Sequence, residues 1–183
     1  MRWLFTLEED YHCPLERYLG RAALARLKHE VQEGVEFTEG GPWPRTFARI
    51  TSKGELIVMA GYSWDGNSPK INVLDLFWIG TPDGIRHVKT GKPVTYYASL
   101  VHDVLGQFKN DPQMPSIFRS NPVDLWFAPG KVGRDTLYLR MLREEGFVLR
   151  WIYFWAVSLL GPLSNVYVRI AKKVQLKRGG KVS

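Results

Sequence analysis

The chain has 183 residues, 45% of them hydrophobic and 23% charged, with a formal net charge of +7 and a single cysteine, Cys13. A chain of this length buries on the order of 70% of the surface its unfolded form exposes, so it needs no staple to fold, and its composition excludes a disordered polymer. One thiol excludes an intrachain disulfide and any zinc site built on several thiolates, which suits a reducing compartment.

The N-terminus reads MRWLFTLEEDYHC, an apolar run too short for the core of a secretory signal and closed at once by Glu8, Glu9 and Asp10, so no export signal is expected. From Pro14 to Glu33 the only breaker is Gly20, apolar residues recur at helical spacing, and Gly34 follows the end; one helix is predicted there. GGPWP punctuates the chain, and RTFARITSKGELIVMAG then alternates about the turn Ser52-Lys53-Gly54-Glu55, which predicts an antiparallel hairpin. The stretch from Gly61 to Pro93 is too rich in Gly, Pro, Asn and Asp to be regular throughout, and its Trp64, Phe77 and Trp78 point to a packed loop. Within it, GYSWDGNSPK sets Asp65 between a large aromatic and a glycine: a place for a ligand or metal, or simply an Asp-Gly turn.

Helical spacing returns at TYYASLVHDVLGQF. At about 100° per residue, Tyr97, Leu100, Val101, Val104, Leu105 and Phe108 form a core-facing stripe on a helix from Thr95 to Phe108. His102 and Asp103 lie outside that stripe and flank a face whose middle is Ser99 and Gly106, small enough to admit another segment or a ligand. An internal helix glycine costs about 1 kcal/mol against alanine, which suggests a packing or site reason for Gly106. The next helix, Lys131 to Glu145, places Asp135 on one stripe with Tyr138, Leu139 and Leu142. A carboxylate there needs a donor, a cation, a metal or a proton, unless it merely faces the helix N-terminus.

The longest apolar run, Trp151 to Leu163, falls short of the roughly 20 residues a membrane span requires, and a helix buried in the domain is expected in preference to one lying on a membrane. Lys172, Lys173, Lys177, Arg178 and Lys181 form an acid-free tail, a solvated end that also suits nucleic acid or anionic lipid. The fold class expected is α+β, a single domain with a small antiparallel β-hairpin or sheet packed with about four to five helices. Residues 1–44 read as an N-terminal helical extension, 45–171 as the core and 172–183 as the basic tail.

In its order of motifs the chain resembles the phage and prophage family called domain of unknown function 1353, over roughly residues 45 to 161. The matching segments are Asp65-Gly66-Asn67-Ser68 after a strand, Val101-His102-Asp103 on a helix, Arg134-Asp135 at the start of another, and WIYFWAVSLLG. Asn67 stands where that family usually has alanine, and Gly106-Gln107 where it commonly has a tyrosine. The resemblance implies a phage or prophage origin, residence in the host cytoplasm or the virion, and other phage structural proteins or a host factor as partners. A His-Asp pair on a helix is also similar to secreted phospholipases A2, although their disulfide framework and calcium loop have no counterpart here.

Two functions follow as expectations. In one, Asp65, His102 and Asp103 act catalytically and, with Asp135, hold a divalent ion (Mg, Mn, Ca or Zn) that activates water for hydrolysis. In the other, the same residues form a buried polar network in a phage structural or host-interaction protein.

Overall fold

A computed structural model describes residues 5–39, 44–64, 71–73, 77–79, 91–119 and 133–155, with the backbone alone for 71–73 and 77–79. The fold is α+β. In chain order the strands are β1 (Phe5–Thr6), β2 (Tyr11–Pro14), β3 (Val35–Glu39), β4 (Arg45–Ile50), β5 (Glu55–Val58), β6 (Ser63–Trp64), β7 (Ile71–Val73) and β8 (Phe77–Ile79). The helices are α1 (Arg21–Glu30), α2 (Tyr96–Gln107), α3 (Ser116–Arg119) and α4 (Arg134–Glu144), and residues 150–155 are helical as well.

The central sheet is antiparallel in the order β2-β5-β4-β3. The expected hairpin is its β4-β5 unit, turning at Gly54, whose φ of 81° is open to glycine at little cost. Cys13, Leu56, Ile50, Val58, Ala48 and Phe37 come into register across the four strands, and each is fully buried. Alternation thus gives the middle of this sheet an apolar, buried face. Phe37 carries that face to the helices by stacking on Phe108, with centroids 5.4 Å apart. The short pairs β1-β6 and β7-β8 are also antiparallel.

The helix expected from Pro14 to Glu33 is shorter, and the reason is local. Pro14 ends β2 opposite Glu55, residues Leu15–Arg17 make one 3₁₀ turn, and α1 starts only after Gly20, whose extended backbone serves as its N-cap. Leu15, Tyr18 and Leu19 are buried, so their helical spacing is real, but it marks a single turn before the break at Gly20. Residue 44, where the sequence suggests a division, falls between β3 and β4, which are paired neighbours.

Helix α2 matches the expected span, with Leu100, Val101, Val104 and Leu105 buried, and it packs against α4. On α4 the buried face is Asp135, Leu137, Tyr138, Met141 and Leu142; Leu139, expected on the stripe, is only half-buried. The stripe therefore lies about one residue's rotation from the predicted one, with Asp135 still inside it. Gly146, at φ 68°, ends α4 in a reversal where its N–H meets the Arg143 carbonyl at 3.1 Å and the Phe147 N–H meets that of Leu142 at 3.0 Å. Phe147 is thereby returned to the core at 4% exposure.

The burial expected from Trp151 to Leu163 is corrected for residues 151–155, and residues 156–163 lie outside the described residues. Trp151 and Ile152 are 54% and 58% exposed, and Trp155 is 40% exposed. An apolar run with no polar face carries no period to say which side meets the core. Among the described residues no helix is long and apolar enough to cross a membrane. The basic tail lies outside the described residues.

Candidate functional site

The α2–α4 contact brings the neighbours His102 and Asp103 together with Asp135, more than thirty positions away in sequence. Nε2 of His102 stands 3.0 Å from Oδ1 of Asp135, a charge-assisted hydrogen bond in geometry. Nδ1 of the same ring stands 3.6 Å from Oδ1 of Asp103, an ion-pair distance beyond hydrogen bonding. Arg134 closes the group by donating from Nε to the same Asp135 oxygen at 3.2 Å.

Local sequence explains why these side chains meet. His102 and Asp103 lie beside the apolar stripe of α2, so they stand at the edge of its contact with α4. Asp135 lies in the first turn of α4, one turn before Tyr138, whose ring lies 5.2 Å from the His102 ring. Gly106, one turn after His102, has a packing reason: a Cβ there would stand 3.2 Å from Nη1 of Arg134. Its missing side chain leaves room for the guanidinium that shares Asp135.

Burial grades the group from inside to outside. The Asp135 side chain is 2% exposed, His102 13%, Arg134 16% and Asp103 23%. Burial raises the Asp135 pKa, but the hydrogen bond and charge of His102, with Arg134, outweigh it and bring it down to about 2. For His102, burial lowers the pKa and Arg134 opposes protonation, yet the two carboxylates prevail and hold it above its ordinary value. The two carboxylates face the Arg134 guanidinium and a ring whose protonated form they favour, so the charges of the cluster offset one another in part.

Asp65 lies outside the described residues. The residue before it, Trp64, is 1% exposed and donates from Nε1 to Oγ of Ser99 at 3.1 Å, one turn ahead of His102 and Asp103 on α2. Ser99, read as part of an open face, is instead buried and filled by this indole. Among the described residues no three His, Cys, Asp or Glu side chains are set to hold a metal ion. Asp135 spends one oxygen on His102 and Arg134, and His102 turns each ring nitrogen to a carboxylate.

Sequence reasoning did not single out Tyr138 and Arg134 as site residues. The signal for both was available: Tyr138 falls one turn from Asp135, and Arg134 precedes it beside the glycine of the facing helix.

What the arrangement can do chemically is hold a proton on a histidine whose far nitrogen is fixed by a buried carboxylate. No family model, no curated protein and no solved structure matches the chain significantly.

Proposed function

We propose that the chain is a phage- or prophage-encoded hydrolase in which His102, oriented by Asp135, is the acid–base group and Asp103 holds a divalent cation or the attacking water. The observation that carries this reading is the 3.0 Å bond from Nε2 of His102 to the 2% exposed Asp135, beside an Asp103 that keeps 23% exposure. A base oriented by a buried carboxylate, with its second nitrogen turned to a more open side, is the arrangement in which imidazole moves a proton to or from a reacting group.

Trp64 anchors the chain to α2 immediately before Asp65, which supports adding Asp65 to the site as the second oxygen ligand. Oxygen donors favour Mg, Mn or Ca, and a nitrogen from His102 would admit zinc. A bound ion would supply an activated water. The motif order shared with the 1353 family supports the phage origin, and phosphoesters, lipids and cell-wall bonds are all suited to such a site.

One observation favours a second reading, a polar clamp in a virion, tail-associated or host-interaction protein. Oδ1 of Asp135 accepts from both His102 and Arg134, with Gly106 seating the guanidinium, so the cluster also locks α2 to α4.

The test is hydrolysis of a panel of phosphodiester, phospholipid and peptidoglycan substrates with added Mg, Mn, Ca or Zn, comparing the chain with His102→Gln and Asp103→Asn. The hydrolase reading expects turnover of at least one substrate and a loss of about a hundredfold or more in His102→Gln, whose fold persists. No turnover, together with a melting temperature indifferent to chelator and a strongly destabilised Asp135→Asn, would leave the clamp.

A further inference from the structure

Among the described residues, all the large hydrophobic side chains that stand exposed fall between Val148 and Trp155: Val148 at 83%, Leu149 at 43%, Trp151 at 54%, Ile152 at 58% and Trp155 at 40%. They follow directly on Phe147, which is turned into the core, so the segment is tied to the fold at its start and presents its own side chains outward. Apolar side chains grouped in this way mark a surface that another phase or partner covers.

The charge pattern says which. From Gly146 onward the sequence contains no Asp or Glu, and it carries Arg150, Arg169, Lys172, Lys173, Lys177, Arg178 and Lys181. Taking these seven from the 25 basic residues leaves 18, which the 18 acidic residues balance, so the whole net charge of +7 belongs to this C-terminal part. Between Arg150 and Arg169 no residue is charged, and Trp151, Tyr153, Trp155 and Tyr167 are spread along that interval. Tryptophan and tyrosine favour the level of lipid headgroups, where an apolar ring and a polar edge are both accommodated.

We propose that residues 148–155 form a docking face for an anionic lipid bilayer. Val148, Leu149, Trp151 and Ile152 enter the boundary between headgroups and acyl chains, and the excess of basic residues in the sequence from Arg169 to Lys181 attracts the chain to an anionic surface. Two signals of this kind, apolar insertion and a polybasic segment, together give stable attachment where either alone is marginal. A second copy of the chain is a poorer occupant, since each copy carries a net charge of +7 and like charges repel. Nucleic acid would satisfy the charge and stack on tryptophan, but it offers nothing to the aliphatic side chains of Val148, Leu149 and Ile152. The inference is independent of the chemistry at His102.

The experiment is flotation of the full chain with vesicles of equimolar phosphatidylglycerol and phosphatidylcholine, beside vesicles of phosphatidylcholine alone. The wild type is expected to float with the anionic vesicles and to be released by high salt or by replacing them with neutral ones. The double variant Trp151→Ser with Ile152→Ser should lower partitioning by at least about tenfold with an unchanged melting temperature. Neutralising Lys172, Lys173 and Lys177 to Gln should lower it on the order of a hundredfold.

Absence of wild-type flotation overturns the proposal, as does partitioning indifferent to both sets of changes. A non-floating wild type that is a dimer, and becomes monomeric in the double variant, assigns the face to a second copy. A non-floating wild type that retains a labelled oligonucleotide assigns the charge to nucleic acid. A non-floating wild type whose double variant melts much lower assigns the face to packing within the chain.

Discussion

The α2–α4 pair and the segment from Val148 to Trp155 are both rich in large apolar side chains, yet one encloses a carboxylate and the other leaves two tryptophans in solvent. In α2 and α4 the apolar residues recur with the period of the helix, so each helix has a side for the core, and Asp135 is carried inside with its partners. After Phe147 the apolar residues follow one another without a period. Total hydrophobicity is therefore a poor guide to burial, and the lesson is that a polar residue on a periodic stripe is better placed than an aromatic in an aperiodic run.

The sharpest way to break this contrast is Asp135→Ala. Leaving His102 and Arg134 without their shared acceptor inside the helix contact should cost about 3–5 kcal/mol in urea unfolding near pH 6. A cost under about 1 kcal/mol would mean that the cluster does not hold α2 to α4.

Acid should remove the same contribution. Asp135 titrates at about 2 in the fold against 3.8 for a free side chain, so its stabilisation is present above pH 3.8 and disappears as pH falls toward 2. The loss should be about 2 kcal/mol over that window and should vanish in Asp135→Asn. On the alkaline side the sign reverses. His102 has a raised value, so what it contributes is complete below 6.5 and is lost as pH rises through its folded pKa. Stability measured from pH 2 to 9 should show both limbs in wild type. Asp135→Asn should lose the part of the acid limb due to Asp135 and keep only a weaker alkaline limb, since Asp103 still faces His102.

A smaller effect is expected from Gly106→Ala. The helical gain of about 1 kcal/mol is set against displacement of the Arg134 guanidinium, which would stand 3.2 Å from the new Cβ. The net change should stay within about 1 kcal/mol, while the His102 pKa rises further as the neighbouring cation moves away. The smallest effect belongs to the exposed segment. Trp151→Ser with Ile152→Ser should change unfolding free energy by no more than about 0.5 kcal/mol, because side chains this exposed lose little on truncation.

Much of this organisation is legible in the sequence where one local rule decides it. The hairpin about Gly54, the helix ending near Phe108 and the inward Asp135 each follow from alternation, helical period or a turn glycine. The start of α1 is not legible, because Pro14 and the spacing of Leu15, Tyr18 and Leu19 suit a helix as well as a strand end followed by a 3₁₀ turn. Pairing of β2 and β3 with the hairpin is a long-range matter that no local pattern carries. The bond from His102 to Asp135 was foreshadowed as a shared pocket but not as a direct contact, since its geometry depends on the rotation of α4, which the half-buried Leu139 shows to differ from the expected one.

The measurement that bears most directly on the site is an NMR titration of the His102 ring nitrogens in wild type and Asp135→Asn. The account predicts a pKa raised above 6.5 in the wild type, with a fall in that pKa when the carboxylate is removed. A His102 that titrates at or below 6.5, or one whose titration is the same in the variant, would contradict it.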